Sequence, residues 1–211
     1  AVINALIPLL EEGDVIMDGG NSHYKNTKRR FKLLASKHID FFGVGVSGGE
    51  EGARKGPSIM PGGAADGYKK IADVLEAIAA RDFQGNSCCT YIGPEGAGHY
   101  IKMVHNGIEY AEMQLLAELF ALMSPTMSYE EISEVFVSWN TGELSSYLLE
   151  ITSKILLKKE GEQYVIDLIL DKAGNKGTGS WSSTSALELG VPNTMMNAAV
   201  FARYISSFKA Q

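Results

Sequence analysis

Cysteine is nearly absent from this chain: its 211 residues include two, the neighbours Cys88 and Cys89. A disulfide between adjacent residues is strained, and the pair shows neither C-x-x-C nor zinc-type spacing. Reduced structural thiols in a cytoplasmic protein are therefore expected. No apolar run reaches the roughly 18 residues that suggest a membrane span, and no signal-peptide pattern is visible at the first residues. Basic charge is scarce too. Nineteen Lys and Arg against 25 Asp and Glu leave a net charge of −6. That argues against general nucleic-acid binding, so an anionic ligand would need a local basic pocket. His99 and His105 have no carboxylate at zinc-site spacing, so no metal is predicted. Internal repeats and low-complexity tracts are also missing.

What remains is 45% hydrophobic and 21% charged, the profile of a globular protein. Periodicity predicts the end of a helix over 1–12, with Ile3, Leu6, Ile7 and Leu10 on one face. A short strand follows over Asp14–Asp18, then a basic helix over Thr27–Lys37 with Phe31, Leu33 and Leu34 inward. Further strands are read at Ile39–Val46, Pro57–Met60 and Cys88–Ile92, with a helix over Asp66–Arg81 facing Ile71, Val74, Leu75 and Ile78 inward. Strands alternating with helices imply an open α/β sheet. From Ala97 onward only helical periods are legible: 97–123, from Ser128 to near Thr141-Gly142, 143–158, 164–173, 183–189 and 194–208. Ser128 and Glu131 have capping-box spacing. The expected fold class is α/β followed by all-α, with Pro94-Glu95-Gly96 as the hinge between domains at 1–95 and 96–211. The chain opens inside a helical pattern without Met and ends on Phe208-Lys209-Ala210-Gln211 without a helix stop, so a piece of a longer chain is expected.

The most informative stretch runs from Gly98 to Tyr110. Lys102, His105, Asn106 and Glu109 sit at offsets 0, +3, +4 and +7, within an arc of roughly 100° on a helix. A cation, an imidazole, an amide and a carboxylate so aligned suit an anionic, hydroxylated ligand. The competing reading is a solvated face. Against it, Ile101, Met103, Val104, Ile108, Met113, Leu115 and Leu116 make the helix apolar over most of its circumference, which predicts burial. Buried charges need partners or a function.

Glycine-rich turns follow the strands, where ligands bind in such sheets. Asp18-Gly19-Gly20-Asn21-Ser22 permits close backbone approach, with Asn21 able to hydrogen-bond a ribose or an amide; an ordinary turn explains it equally well. Ser47, Gly48 and Gly49 suit a carboxylate or phosphate, as a backbone nest would. Gly93-x-x-Gly96-x-Gly98, between a strand and a helix, suits an anion site. Ala173 to Trp181, with Lys176 and Thr178, is either a phosphate cradle or a flexible linker, and it fails the P-loop pattern. Arg203 lies among Val200, Phe201, Ile205 and Phe208 and needs a partner, either a phosphate or a structural carboxylate.

Several of these runs together resemble the 6-phosphogluconate dehydrogenase family, within the β-hydroxyacid dehydrogenase group. They are Gly93–Tyr110, Asp18–Ser22, Val46–Arg54, Lys176–Gly179 and Val200–Arg203, in order along essentially the whole chain. The resemblance implies an NADP-dependent oxidoreductase of the oxidative pentose phosphate pathway and gluconate utilization. Such an enzyme converts 6-phosphogluconate to ribulose 5-phosphate and CO₂. Lys102 matches the family's general acid/base lysine, and desolvation is the physical route by which it would become neutral. Glu109 matches the acid that protonates C1 of the enediol. His105, Asn106, Ser47, Gly48 and Gly49 match positions around the sugar acid. Tyr110, Lys176, Thr178 and Arg203 match those at the phosphate end, and Asn21 matches a residue touching substrate and cofactor. A homodimer is implied, with neither nucleic acid nor membrane as partner.

The family's G-x-G-x-x-G turn and its C-terminal tail are absent from the 211 residues. The resemblance therefore implies a partial Rossmann-like domain and a partial helical domain, inactive alone. NADP rather than NAD is an expectation by analogy. Two other readings stand beside this one: a related enzyme acting on a smaller hydroxy acid such as 3-hydroxyisobutyrate, and a non-catalytic binding or dimerisation product.

Overall fold

The computed structural model describes residues 2–209. Ala1, the first residue of the expected N-terminal helix, lies outside the described residues, as do Ala210 and Gln211. The chain forms two compact units that divide between His105 and Asn106.

The first unit contains α1 (Val2–Leu6), a short 3-10 turn (Ile7–Leu9), β1 (Val15–Asp18), α2 (Tyr24–Ala35), β2 (Asp40–Ser47) and α3 (Gly49–Lys55). It continues with β3 (Ser58–Gly63), α4 (Ala65–Tyr68), α5 (Ala72–Ile78) and the first turns of α6 (Ala97–Met123). β2 is central, with β1 parallel on one side and β3 antiparallel on the other. Successive residues of a strand face opposite ways, and β2 uses both faces. Phe41 packs with Leu34 and Ile39, joined by Ile3, Ile7, Leu10, Ile16 and Phe31. Phe42 packs with Val44, Ile59, Ile71 and Leu75. Both rings are essentially inaccessible, worth about 1.5–3 kcal/mol each.

Several local expectations need correction. The helix expected to start at Thr27 starts at Tyr24, because the His23 ring accepts the Lys25 N–H as its N-cap. Leu6 and Leu33 are exposed, not inward. The helix over 66–81 breaks between α4 and α5, where Lys70 reaches across to the Asp40 carboxylate and the Gly13 carbonyl. Val74 and Ile78 consequently face out, while Ile71 and Leu75 stay buried. The strand expected at Cys88–Ile92 is reduced to isolated bridges, Ile59 with Cys89 and Gly62 with Gly93. Ile59 and Gly63 donate to the Cys88 and Gly93 carbonyls. Between them stands Pro61, which accepts from the Ile92 N–H but has no N–H of its own to donate. α3 was not anticipated at all.

The second unit contains the rest of α6, α7 (Tyr129–Trp139), α8 (Tyr147–Leu157), β4 (Lys159–Glu160), β5 (Gln163–Tyr164), α9 (Val165–Leu168), α10 (Thr178–Leu189) and α11 (Thr194–Ser206). The Ser128–Glu131 capping box opens α7 as its spacing predicts. Ser146, rather than Glu143, begins α8 by capping the Leu149 N–H. Leu116, Ile132, Phe136, Leu149 and Leu156 form the main core, and Tyr110, Ala199 and Val200 a second. The hairpin β4–β5 corrects the strand-free reading, although it is two residues long on each side. α9 is shorter than expected. α10 starts five residues before Ser183, because its buried face is made of the small residues Thr178, Gly179, Ser182 and Ser185 and carries no apolar period.

Candidate functional site

The alternate residues Gly43, Gly45 and Ser47 lie on one face of β2, against His99, Lys102 and His105 of α6. Each step of two along the strand meets a step of three along the helix. A Cβ at Gly43 would lie 2.8 Å from His99 Nδ1, and one at Gly45 would lie 2.6 Å from the Lys102 Cβ. Ser47 Oγ is 3.1 Å from His105 Nε2. The backbones nearly touch: a Cβ at Gly98 would sit 2.2 Å from the Gly43 carbonyl oxygen, and one at Gly62 would sit 2.2 Å from the Gly98 nitrogen. This glycine layer holds Lys102 at 6% exposure.

Gly96 and Gly98, expected to open an anion site, serve this packing; Gly96 fits against the Tyr24 carbonyl at 2.7 Å from where its Cβ would be. Sequence reasoning also missed Gly43 and Gly45. The signal available was a glycine at alternate positions inside a strand, which marks close backbone approach.

The expected burial of the apolar circumference of α6 holds for Met103 and Leu116, with Val104 half-buried, and fails for the other four apolar residues. Ile101, Ile108, Met113 and Leu115 are 36–56% exposed, while the polar stripe is buried or half-buried. Lys102 can face inward because Gly45, directly against its Cβ, leaves it room.

At the end of β1, the Asp18 carboxylate accepts from the Gly20 N–H, the Ser22 hydroxyl at 2.7 Å and the Arg30 guanidinium at 3.2 Å. The turn is thus braced from inside, and Asn21 at its tip is exposed. Gly19 and Gly20 leave its backbone open to approach, which fits contact with part of a dinucleotide at the carboxyl end of a parallel strand. Ser47 leads into Gly48 and Gly49, with φ of 137° and 59°, at the start of α3.

The second unit gathers another set. Arg203 lies over the Tyr110 ring, its Cζ 3.4 Å from the ring centre. It donates to the Gly174 carbonyl at 2.6 Å and approaches the Met113 sulfur. Tyr110 is buried against Gly179, where a Cβ would come within 2.6 Å of the ring. Thr178 is buried at the first turn of α10, after Gly177, whose φ is 100°. Lys176 stands exposed in the preceding loop. Stacking and a backbone carbonyl thus orient the guanidinium without neutralising its charge, which suits a phosphate. Asn106 and Glu109 are half-buried on α6.

An α/β unit of Rossmann type followed by a helical unit defines a class of fold. It is shared with 3-hydroxyisobutyrate dehydrogenase from Salmonella typhimurium, at a TM-score of 0.72 and 16% identity over 98% of this chain and 69% of that one. Within that class, residues 1–93 match the NAD binding domain of 6-phosphogluconate dehydrogenase, and residues 98–211 match its C-terminal domain. The chain belongs to the 6-phosphogluconate dehydrogenase family. It is 56% identical to the decarboxylating 6-phosphogluconate dehydrogenase of Staphylococcus aureus, over all of this chain and 46% of that protein. The Plasmodium falciparum 6-phosphogluconate dehydrogenase, solved in its apo form and in complex with NADP+ and with 6-phosphogluconate, superposes at a TM-score of 0.93. Identity there is 47% over 99% of this chain and 45% of that one. The chain thus spans about half the length of the relatives it matches.

Proposed function

We propose that the full-length protein carrying this chain oxidatively decarboxylates 6-phosphogluconate to ribulose 5-phosphate and CO₂, with reduction of NADP. The observation that carries the reading is Lys102, a buried ammonium-bearing side chain seated on Gly45 beside the Ser47–His105 hydrogen bond. Burial favours the neutral amine that a general base requires. NADP, when bound, accepts the hydride from C3. Lys102 takes the C3 hydroxyl proton and later returns a proton to the C3 oxygen as CO₂ leaves. Glu109, seven residues further along the same helix, delivers a proton to C1 of the enediol. Ser47, the backbone of Gly48 and Gly49, His105 and Asn106 hold the sugar acid. Tyr110, Lys176, Thr178 and Arg203 hold the phosphate, and Asn21 contacts substrate and cofactor.

The domain division of this reading is a partial dinucleotide-binding domain over 1–95 and a helical substrate and dimerisation domain over 96–211. No described helix is long and apolar enough to cross a membrane; a cytoplasmic location belongs to the same proposal. The apolar stripe Ile101, Ile108, Leu115 and Leu122, exposed along α6, supports a homodimer.

The test is NADP reduction and CO₂ release by the full-length protein and its Lys102→Met variant. The parent turns over, and the variant loses about 10²–10⁴-fold, the usual share of general acid–base catalysis. An inactive parent that instead oxidises 3-hydroxyisobutyrate would place the protein elsewhere in the β-hydroxyacid dehydrogenase group. The stacked Arg203 argues against that outcome.

A further inference from the structure

His99 is 2% exposed, and the proposed chemistry does not use it. Its Nε2 lies 3.0 Å from the Asp18 carbonyl oxygen, and its Nδ1 lies 2.7 Å from the Thr27 hydroxyl. A carbonyl can only accept, so Nε2 carries the hydrogen; in the neutral ring Nδ1 then accepts from the Thr27 hydroxyl, which prefers it at 2.7 Å over the His23 carbonyl at 3.4 Å. Thr27 is fully buried as well. Gly43 makes room for the pair, since a Cβ there would come within 2.5 Å of Thr27 Cγ2. A polar ring in so dry a place adds little adhesion that an apolar side chain would not supply. What its two directional bonds add is position.

The bond to Asp18 matters because of what Asp18 does. Its carboxylate shapes the Gly19-Gly20-Asn21-Ser22 turn from within. Its carbonyl, through His99, fastens that turn to α6 three residues before Lys102. We propose that His99 is a positioning residue, which locks the cofactor-side turn to the helix turn that carries the base. In this role it sets where the hydride acceptor lies relative to the proton acceptor. The inference rests on the dehydrogenase reading above and goes beyond it by assigning a residue outside the substrate contacts.

The test compares the full-length parent with His99→Leu and His99→Gln. NADP binding is read directly by fluorescence titration, and both Michaelis constants by steady-state assay. The Leu side chain fills the space without a donor, whereas the Gln amide can still reach the Asp18 carbonyl. His99→Leu should raise the Kd and KM for NADP about tenfold, the worth of one lost hydrogen bond. The KM for 6-phosphogluconate should stay within about twofold. His99→Gln should recover most of the NADP affinity, which a role in packing alone would not produce. Unchanged NADP affinity in His99→Leu, or equal impairment in both variants, overturns the inference.

If His99→Leu fails to fold, Thr27→Val and Thr27→Ser decide the matter. The Val variant should weaken NADP binding severalfold and the Ser variant should not; equal values overturn the inference. Should NADP binding depend on His99 in a protein that leaves 6-phosphogluconate untouched, the functional reading fails while the positioning role stands. A protein that does not bind NADP at all defeats both.

Discussion

The two units hold their share of polar residues by opposite means. In the first, Lys102 and His105 are placed by close approach: Gly45, Gly62 and Gly98 bring a helix almost to backbone contact with a sheet, and Gly43 admits the His99 ring. In the second, Arg203 is placed by side-chain stacking on Tyr110 and one bond to a loop carbonyl, beside the exposed Lys176. The first arrangement is stiff, because interiors packed this tightly cannot give by even a methyl group. The second is adaptable. The difference matches the tasks proposed for each. A proton transfer tolerates little error in distance, whereas a phosphate with several acceptor oxygens can be met from more than one direction.

The largest break in this comparison is Gly45→Ala. Its added Cβ would press on Lys102 and on the Gly98 carbonyl, and misplacement by about 1 Å costs on the order of 10²-fold in rate. Steady-state assays should show that loss in kcat, with the KM for 6-phosphogluconate changed far less. A variant with the parent's kcat would mean that the backbone contact does not set the position of the base. Arg203→Lys should do less, and in the other constant. It keeps the charge but loses the stack and the fork of donors, so the KM for 6-phosphogluconate rises roughly tenfold with kcat nearly unchanged. A fall in kcat alone would show the second region to be as exacting as the first.

The smallest effect concerns pH. Burial holds the His99 pKa below its usual 6.5, and Arg30 adds to the shift. The Asp18 carboxylate and the bond to its carbonyl partly offset it. The unfolded chain therefore binds this proton more readily than the folded one. The stability involved is intact above about pH 6.5 and is lost as the pH falls through the lower, folded value. Denaturant midpoints measured between about pH 7 and 5 should decline, and His99→Gln should flatten part of that slope. Identical slopes would show that His99 does not bind its proton more weakly when folded.

Much of this was legible in the sequence, for reasons that differ by element. α6 runs over the 97–123 expected from its periodicity, because 27 residues average out local noise. The Ser128 cap is a local device and reads locally. The α/β-then-helical order follows from the same periods, and the family match agrees with it. The interrupted edge at Cys88–Ile92 did not show, since its cause is Pro61 in a neighbouring strand. α10 hid because small residues bury a face without leaving an apolar period. His99 was read only as too far from any carboxylate to hold a metal, because its partners Asp18 and Thr27 lie more than seventy residues earlier in the chain.

The glycine layer has one more consequence, for tolerance to change. Most helix–sheet spacings are set by side chains, so a substitution can be absorbed by a new rotamer nearby. Here the spacing is set by main-chain atoms at Gly62 and Gly98 and by the Lys102 Cβ at Gly45, none of which a rotamer can adjust. Side chains elsewhere in the core can drift without moving the base. Gly45, Gly62 and Gly98, in contrast, have no acceptable replacement, and the freedom of the rest of the domain to vary rests on those three positions staying fixed.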